Sequence, residues 1–175
     1  MRSTDDIELK ERLEQRFGIN NVFPEWDVAR NSQDVYCRHL YCPQIDFAVG
    51  PFNIDGELGI NNERITLEFN RHLDFLNQVT EISQHNGREI VPNNNPRCFL
   101  AIEVERSGSM KHRLGSIVNA SAIGKIGLLI VADEKNYNKL TRIKNYLDFL
   151  QLAGKTNSSP KNVLIVRRDE FINLL

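Results

Sequence analysis

Along the first third of the chain the apolar positions change period several times. Over residues 5–17, DDIELKERLEQRF, Ile7, Leu9, Leu13 and Phe17 predict a helix with acids in its first turns and Gly18 as its stop. The following NNVFPEWDVARNSQD reads as loop. VYCRHLY (35–41) is rich in β-branched and aromatic residues and predicts a strand, and a Cys-Pro turn then leads into a second short strand, IDFAVG (45–50). Two strands joined by a tight turn are expected to pair antiparallel. PFNIDGELG is turn-rich. From Asn62 to Ser83, the series Ile65, Leu67, Phe69, Leu73, Leu76, Val79 and Ile82 predicts one long helix, and HNGREIVPNNNPR (85–97) is the most loop-like passage of the chain.

Beyond Arg97 the pattern becomes regular. CFLAIEV (98–104) predicts a strand. A helix from Ser109 to Gly124 is expected to bury Leu114, Ile117, Val118 and Ser121, and IGLLIVA (126–132) is an unbroken apolar strand. Tyr137 to Ala153 predicts a helix with Leu140, Ile143, Leu147 and Leu150 on one stripe and Gly154 closing it. NVLIV (162–166) is a further strand, and Asp169 is placed to cap a last short helix. Strand and helix alternate here, and GLLIV and NVLIV are apolar on both faces, which calls for parallel strands covered by helices and joined by right-handed crossovers. The expected architecture is α/β, a three-layer α/β/α arrangement with a central mixed sheet flanked by helices. With no repeat, low-complexity tract or linker, residues 1–175 read as a single domain.

Composition changes this picture little. At 175 residues, with 41% hydrophobic and 26% charged residues, the chain can bury a core without staples. No apolar run approaches the ~20 residues a membrane helix needs. The N-terminal MRSTDDIELKERLEQ lacks the apolar segment of a secretory signal, so a cytoplasmic protein with no membrane partner is expected. Cys37, Cys42 and Cys98 form a sparse, odd set that argues against a disulfide framework, and 37 and 42 do not have the spacing of a zinc knuckle. Charge does add something. Residues 1–105 hold 10 Lys and Arg against 18 Asp and Glu, whereas 106–175 hold 12 against 5. An acidic site beside a phosphate-steering basic face has this asymmetry, and so do two halves that pair with each other inside one domain.

The candidate chemistry lies in FLAIEVERSGSMKHR (99–113). Alternation along the strand puts Phe99, Ala101, Glu103 and Glu105 on one face and Leu100, Ile102 and Val104 on the other. Two carboxylates about 7 Å apart on one strand face repel by about 2 kcal/mol at an effective dielectric of ~20. A divalent cation, a nearby Lys or Arg, or solvation at the strand's end, with Arg106 as a neutralising neighbour, would each offset that cost. Metal-assisted phosphodiester cleavage draws acids from more than one strand. Asp46, opening a strand that continues as Phe47, Ala48 and Val49, is the third candidate, although a turn-capping aspartate after Cys42-Pro43 would look the same.

Taken with the order of elements, Asp46 and the Glu103-Val104-Glu105 triplet resemble the PD-(D/E)XK nuclease superfamily, the restriction endonuclease-like fold. Its core runs helix, strand, strand with Asp, strand with (D/E)XK, helix, strand, and 51–97 then becomes a helical insertion between core strands. The proline stands three positions early, in Pro43-Gln44-Ile45-Asp46, and Glu105 occupies the place of the motif lysine. The resemblance implies a metal-dependent nuclease acting on DNA, with RNA second. Asp46, Glu103 and Glu105 would hold Mg²⁺ or Mn²⁺, with Glu105 a further ligand or the general base and Lys111 replacing the missing lysine. Arg113 or Lys125 would contact phosphate, and Glu11 or Glu14 would serve as an additional acid. A homodimer or larger complex would supply site specificity.

Other readings of the same residues are a catalytically inactive relative serving as a binding or assembly module, and a nucleotide-binding domain using the Ser107-Gly108-Ser109 turn. His112 is a candidate proton carrier, while His39, His72 and His85 have no metal spacing. Lys135, Lys139, Arg142, Lys144, Lys155, Lys161, Arg167 and Arg168 could line a nucleic-acid channel or form a solvated helix face.

Overall fold

The sequence alternation after Arg97 is realised as a βαβαβ run whose strands stack side by side. A computed structural model describes residues 4–27, 43–53, 60–83, 90–106, 108–157 and 159–175. The strands are β1 (Val22–Trp26), β2 (Ile45–Phe52), β3 (Cys98–Glu105), β4 (Gly124–Val131) and β5 (Val163–Arg167). Among the described residues they form one five-stranded sheet in the order β1-β2-β3-β4-β5. β1, β2 and β3 pair antiparallel, and β3, β4 and β5 pair parallel. The sheet is therefore mixed, as the apolar runs of the second half require.

Helices α1 (Thr4–Phe17), α2 (Ile60–Arg71), α3 (Leu73–Ile82) and α6 (Arg168–Leu174) cover one face. Their Leu9, Leu13, Phe17, Ile65, Phe75, Val79 and Phe171 pack on Phe47, Leu100, Ile102, Leu128 and Val166. The stretch read as an insertion thus contributes to the main core. Helices α4 (Met110–Ile123) and α5 (Glu134–Leu152) cover the other face, where Ile117, Ala120, Leu140 and Ile143 meet Ala101, Leu129, Val131 and Ile165. This is the expected α/β/α layering. Gly127 sets the approach of α4, because a Cβ there would come within 3.0 Å of Ala120 backbone and side-chain atoms. Gly154, at φ +66, ends α5 in the left-handed conformation that glycine tolerates. No helix among the described residues is long and apolar enough to cross a membrane.

Several local expectations are corrected. An edge strand occupies 22–26, inside the stretch expected to be loop, while the strand expected at 35–41 lies outside the described residues. Pro24 and the left-handed Glu25 (φ 50) mask the strand character of 22–26, and an edge is where a sheet accepts both. The long helix of 62–83 is broken at His72, whose ring stacks on Phe99 (centroids 5.7 Å apart) and meets Phe17 edge-on (5.2 Å), held by Glu68 Oε1 at 3.0 Å. Phe99 packs in the first core with Leu100 and Ile102 rather than sharing the face of Ala101, because the β2–β3 register is irregular between Val49 and Phe52. α4 buries Arg113, Ser116, Ile117, Ala120 and Ile123, leaving Val118 exposed and Leu114 and Ser121 half-buried. Asp169 sits inside the first turn of α6, and the residue at its N-cap, Arg167, makes no side-chain cap.

Candidate carboxylate site

The β2–β3 register pairs Phe47 with Ile102 and Ala48 with Ala101, so the next step of the antiparallel ladder sets Asp46 opposite Glu103. The two acids read from separate parts of the sequence are cross-strand neighbours. Asp46 Oδ2 accepts a hydrogen bond from the Val104 backbone N–H at 2.7 Å, which ties its carboxylate to β3. Glu103 is almost removed from solvent, at 8% exposure, whereas Asp46 stands at the open side of the pair. Burial, then the charges of Asp46 and Glu105, push the Glu103 carboxyl up to about 8. Burial also raises Asp46, with Glu105 adding to the rise and the Val104 hydrogen bond and His112 opposing it. Among the described residues, no Lys or Arg forms an ion pair with either acid.

Glu105, on the same strand, is turned into α4. Ser116 Oγ donates to its Oε1 at 2.5 Å, His112 Nε2 lies 3.7 Å from Oε1, and Arg113 Nε lies 3.8 Å from Oε2. Arg113 is buried rather than free to meet phosphate, and it donates through Nη2 to Asn136 Oδ1 at 2.6 Å. Asn136 in turn donates to the Arg106 carbonyl (3.2 Å) and to Asp133 Oδ2 (2.8 Å), tying the end of β3 to the start of α5. Arg106, expected as a neutralising neighbour of the glutamates, pairs with the buried side chain of Asp6 on α1. Asp6, and not Glu11 or Glu14, is therefore the α1 acid joined to the end of β3. Glu14 pairs with Lys10 at 2.6 Å, and Glu11 is solvent-exposed.

The remaining expectations fall elsewhere. Lys111 is exposed and lines a groove against α5 with Leu114, Arg142 and Ile143. Lys125 sits at the start of β4, at the opposite end of the sheet, with its ammonium 5.9 Å from the Phe69 ring centroid and 3.5 Å from Thr66 Oγ1. Ser109 caps α4 by accepting from His112 N (3.2 Å), the structural role of such a turn, and Ser107 lies outside the described residues. Of the basic series, Lys144 is buried beside Asp148, while Arg167 and Arg168 are paired with Glu170, Glu134 and Glu8. Lys135, Arg142, Lys155 and Lys161 are exposed. Cys98 is buried, and burial pushes its thiol up, away from nucleophilic use. Cys37, Cys42, His39 and His85 lie outside the described residues.

Ser116 and Asn136 are the participants that sequence reasoning missed. Their only signal is spacing: Ser116 follows His112 by one helical turn on a face that otherwise turns inward. No family model, curated protein or solved structure matches the chain.

Among the described residues, no group of three or more His, Cys, Asp or Glu side chains is arranged to hold a metal ion. A closed, all-protein cage is thus absent there, and with Glu105 engaged by α4 the donor set is the pair Asp46 and Glu103. Mg²⁺ fits such a pair. It takes hard oxygen ligands and commonly uses one or two carboxylates, completing its shell with water and substrate phosphate.

Proposed function

We propose that the protein is a metal-dependent nuclease of the restriction endonuclease-like type that hydrolyses phosphodiester bonds of DNA, with Asp46 and Glu103 as its central acids. The observation that carries this reading is the cross-strand placement of Asp46 against a buried Glu103 that, among the described residues, forms no ion pair with Lys or Arg. An acid pair raised in this way gains when a divalent cation takes up its charge. The order helix, antiparallel strands, helix and parallel strand supports the same reading.

Asp46 and Glu103 would hold Mg²⁺ or Mn²⁺, which when bound supplies charge neutralisation at the phosphate and a more acidic water. The chain's own residues then have distinct tasks. Val104 N–H fixes the orientation of the Asp46 carboxylate, and burial keeps Glu103 in one position. Glu105, held by Ser116, stands between that pair and His112, where it orients the start of α4 rather than supplying a third ligand.

The direct test incubates plasmid, linear, single-stranded and branched DNA with Mn²⁺, comparing wild type with Glu103→Ala, while calorimetry measures Mn²⁺ binding to both. Nicking that falls at least about a hundredfold in the variant, with loss of metal binding, is the expected result. Cleavage that survives the substitution would assign it to another site. A second reading is favoured by the engagement of Glu105 with Ser116, His112 and Arg113 and by the placement of Lys111: a catalytically inactive relative acting as a binding or assembly module. That reading expects weak metal binding and no cleavage of any of the four substrates.

A further inference from the structure

A groove of about 340 Å³ runs between α4 and α5, with Leu114 and Ile143 as its floor and Met110, Lys111, Arg142 and Tyr146 around its mouth. Met110 and Tyr146 are 51% and 56% exposed, large apolar surfaces left to solvent beside two cations. Among the described residues neither Lys111 nor Arg142 has a hydrogen-bond or ion-pair partner, and no carboxylate lines the groove. Asp148, an acid of the same helix, is buried against Lys144 at 3.5 Å and does not offset them. One turn beyond Tyr146, Phe149 is 60% exposed, so α5 carries two open aromatic rings in succession. The ligand that complements this surface is anionic and carries flat apolar groups.

We infer that this groove binds unpaired nucleotides of a single-stranded segment, with a base stacked on Tyr146 and the flanking phosphates on Lys111 and Arg142. Stacking platforms interleaved with cations are how proteins hold single strands without reading sequence, and a base inside a duplex cannot reach an aromatic ring in a groove. The groove reaches the first turn of α4, the turn that also carries His112. Lys111 lines the groove, and the next residue, His112, reaches to 3.7 Å from Glu105. A strand whose phosphate lies at Asp46 and Glu103 can therefore extend a neighbouring nucleotide over the first turn of α4. This inference rests on the nuclease reading and narrows its substrate to DNA with unpaired nucleotides next to the cut.

Binding is tested apart from cleavage. A fluorescein-labelled dT12 oligonucleotide is titrated with the protein in EDTA and followed by anisotropy, against a duplex of the same length. The single strand is expected to bind at least about tenfold more tightly, with Tyr146→Ala weakening it about tenfold and Lys111→Glu with Arg142→Glu abolishing it. Arg12→Ala, which removes an exposed cation on α1 away from the groove lining, should change affinity less than about twofold. Equal affinity for duplex, or a Tyr146→Ala variant that melts and binds like wild type, overturns the inference. Displacement of the oligonucleotide by a lower concentration of an acidic, aromatic-rich peptide also overturns it, in favour of a protein ligand. Groove-dependent binding without cleavage by the wild type would count against the nuclease reading alone, and cleavage indifferent to Tyr146 against this inference alone.

Discussion

Glu103 and Glu105 stand two residues apart on β3, at 8% and 2% exposure, yet they meet opposite surroundings. Glu103 faces Asp46 across the β2–β3 ladder and, among the described residues, forms no ion pair with Lys or Arg. Glu105 is met by Ser116, His112 and Arg113, all from α4. Burial alone therefore does not distinguish the two acids; the partners do. Glu105 has one oxygen hydrogen-bonded by Ser116 and the other facing the Arg113 guanidinium at 3.8 Å, so its charge is met from within the chain. A buried carboxylate answered by another acid is held at a cost, and that cost falls when a cation arrives from outside.

The largest effect expected from this contrast is on the Glu105 side. Arg113→Ala leaves a buried carboxylate facing only Ser116 and the exposed edge of His112. Losing one partner of a buried pair typically costs about 3–5 kcal/mol, and urea denaturation should show a loss of that size. The double variant Arg113→Met with Glu105→Gln should regain most of it, because both charges are then gone. If Arg113→Ala alone costs less than about 1 kcal/mol, the two glutamates are not differently used and the contrast fails.

On the Glu103 side the sign reverses. Its carboxyl ionises near pH 8 when folded, against 4.5 for the ordinary group, so the folded state binds the proton more tightly than the unfolded chain does. Stability is therefore greatest near and below pH 4.5 as far as this group is concerned, and falls as pH rises toward about 8. The decline is on the order of 3–5 kcal/mol by pH 9 in EDTA. Glu103→Gln should flatten that slope and leave the variant more stable than wild type at high pH. Adding Mn²⁺ should restore the wild type at pH 8 and not the variant, since only a ligand that binds the folded state shifts the midpoint. A wild-type midpoint that rises from pH 5 to 9 without metal would contradict the assignment.

Parts of this contrast were legible in residues alone. β2 through β5, α4 and α5 follow from apolar runs too long and too regular for any other arrangement, and Asp46 and Glu103 stand out because charge interrupts those runs. β1 was hidden because Pro24 and the left-handed Glu25 carry loop signals that an edge strand tolerates. The break at His72 depends on the Phe17 and Phe99 rings, which lie far from it in sequence. Apolar spacing ranks Val118 above Ser116 on the inner face of α4, and only contact with Glu105 and the close approach of Ala120 to Gly127 reverse that ranking. The contacts of Glu105 with Ser116, His112 and Arg113 are hidden for the same reason, since strand position alone gives no sign of its neighbours on α4.

Ser116 offers the smallest and most selective probe. Its hydroxyl donates to Glu105 at 2.5 Å and lies in a buried position, so Ser116→Ala removes a hydrogen bond to a charged group without opening a sizeable cavity. Such bonds are worth about 1.5–3 kcal/mol, and the loss should sit at the lower end because Arg113 remains opposite. In the double variant with Glu105→Gln, the cost of removing the hydroxyl should shrink to roughly 1 kcal/mol or less, as expected for two members of one network. Mn²⁺ binding at Asp46 and Glu103 should be unchanged in Ser116→Ala if Glu105 is a structural acid. If the substitution instead alters metal affinity as strongly as it alters stability, Glu105 belongs with Glu103 after all, and the division between the two glutamates collapses into a single three-acid site.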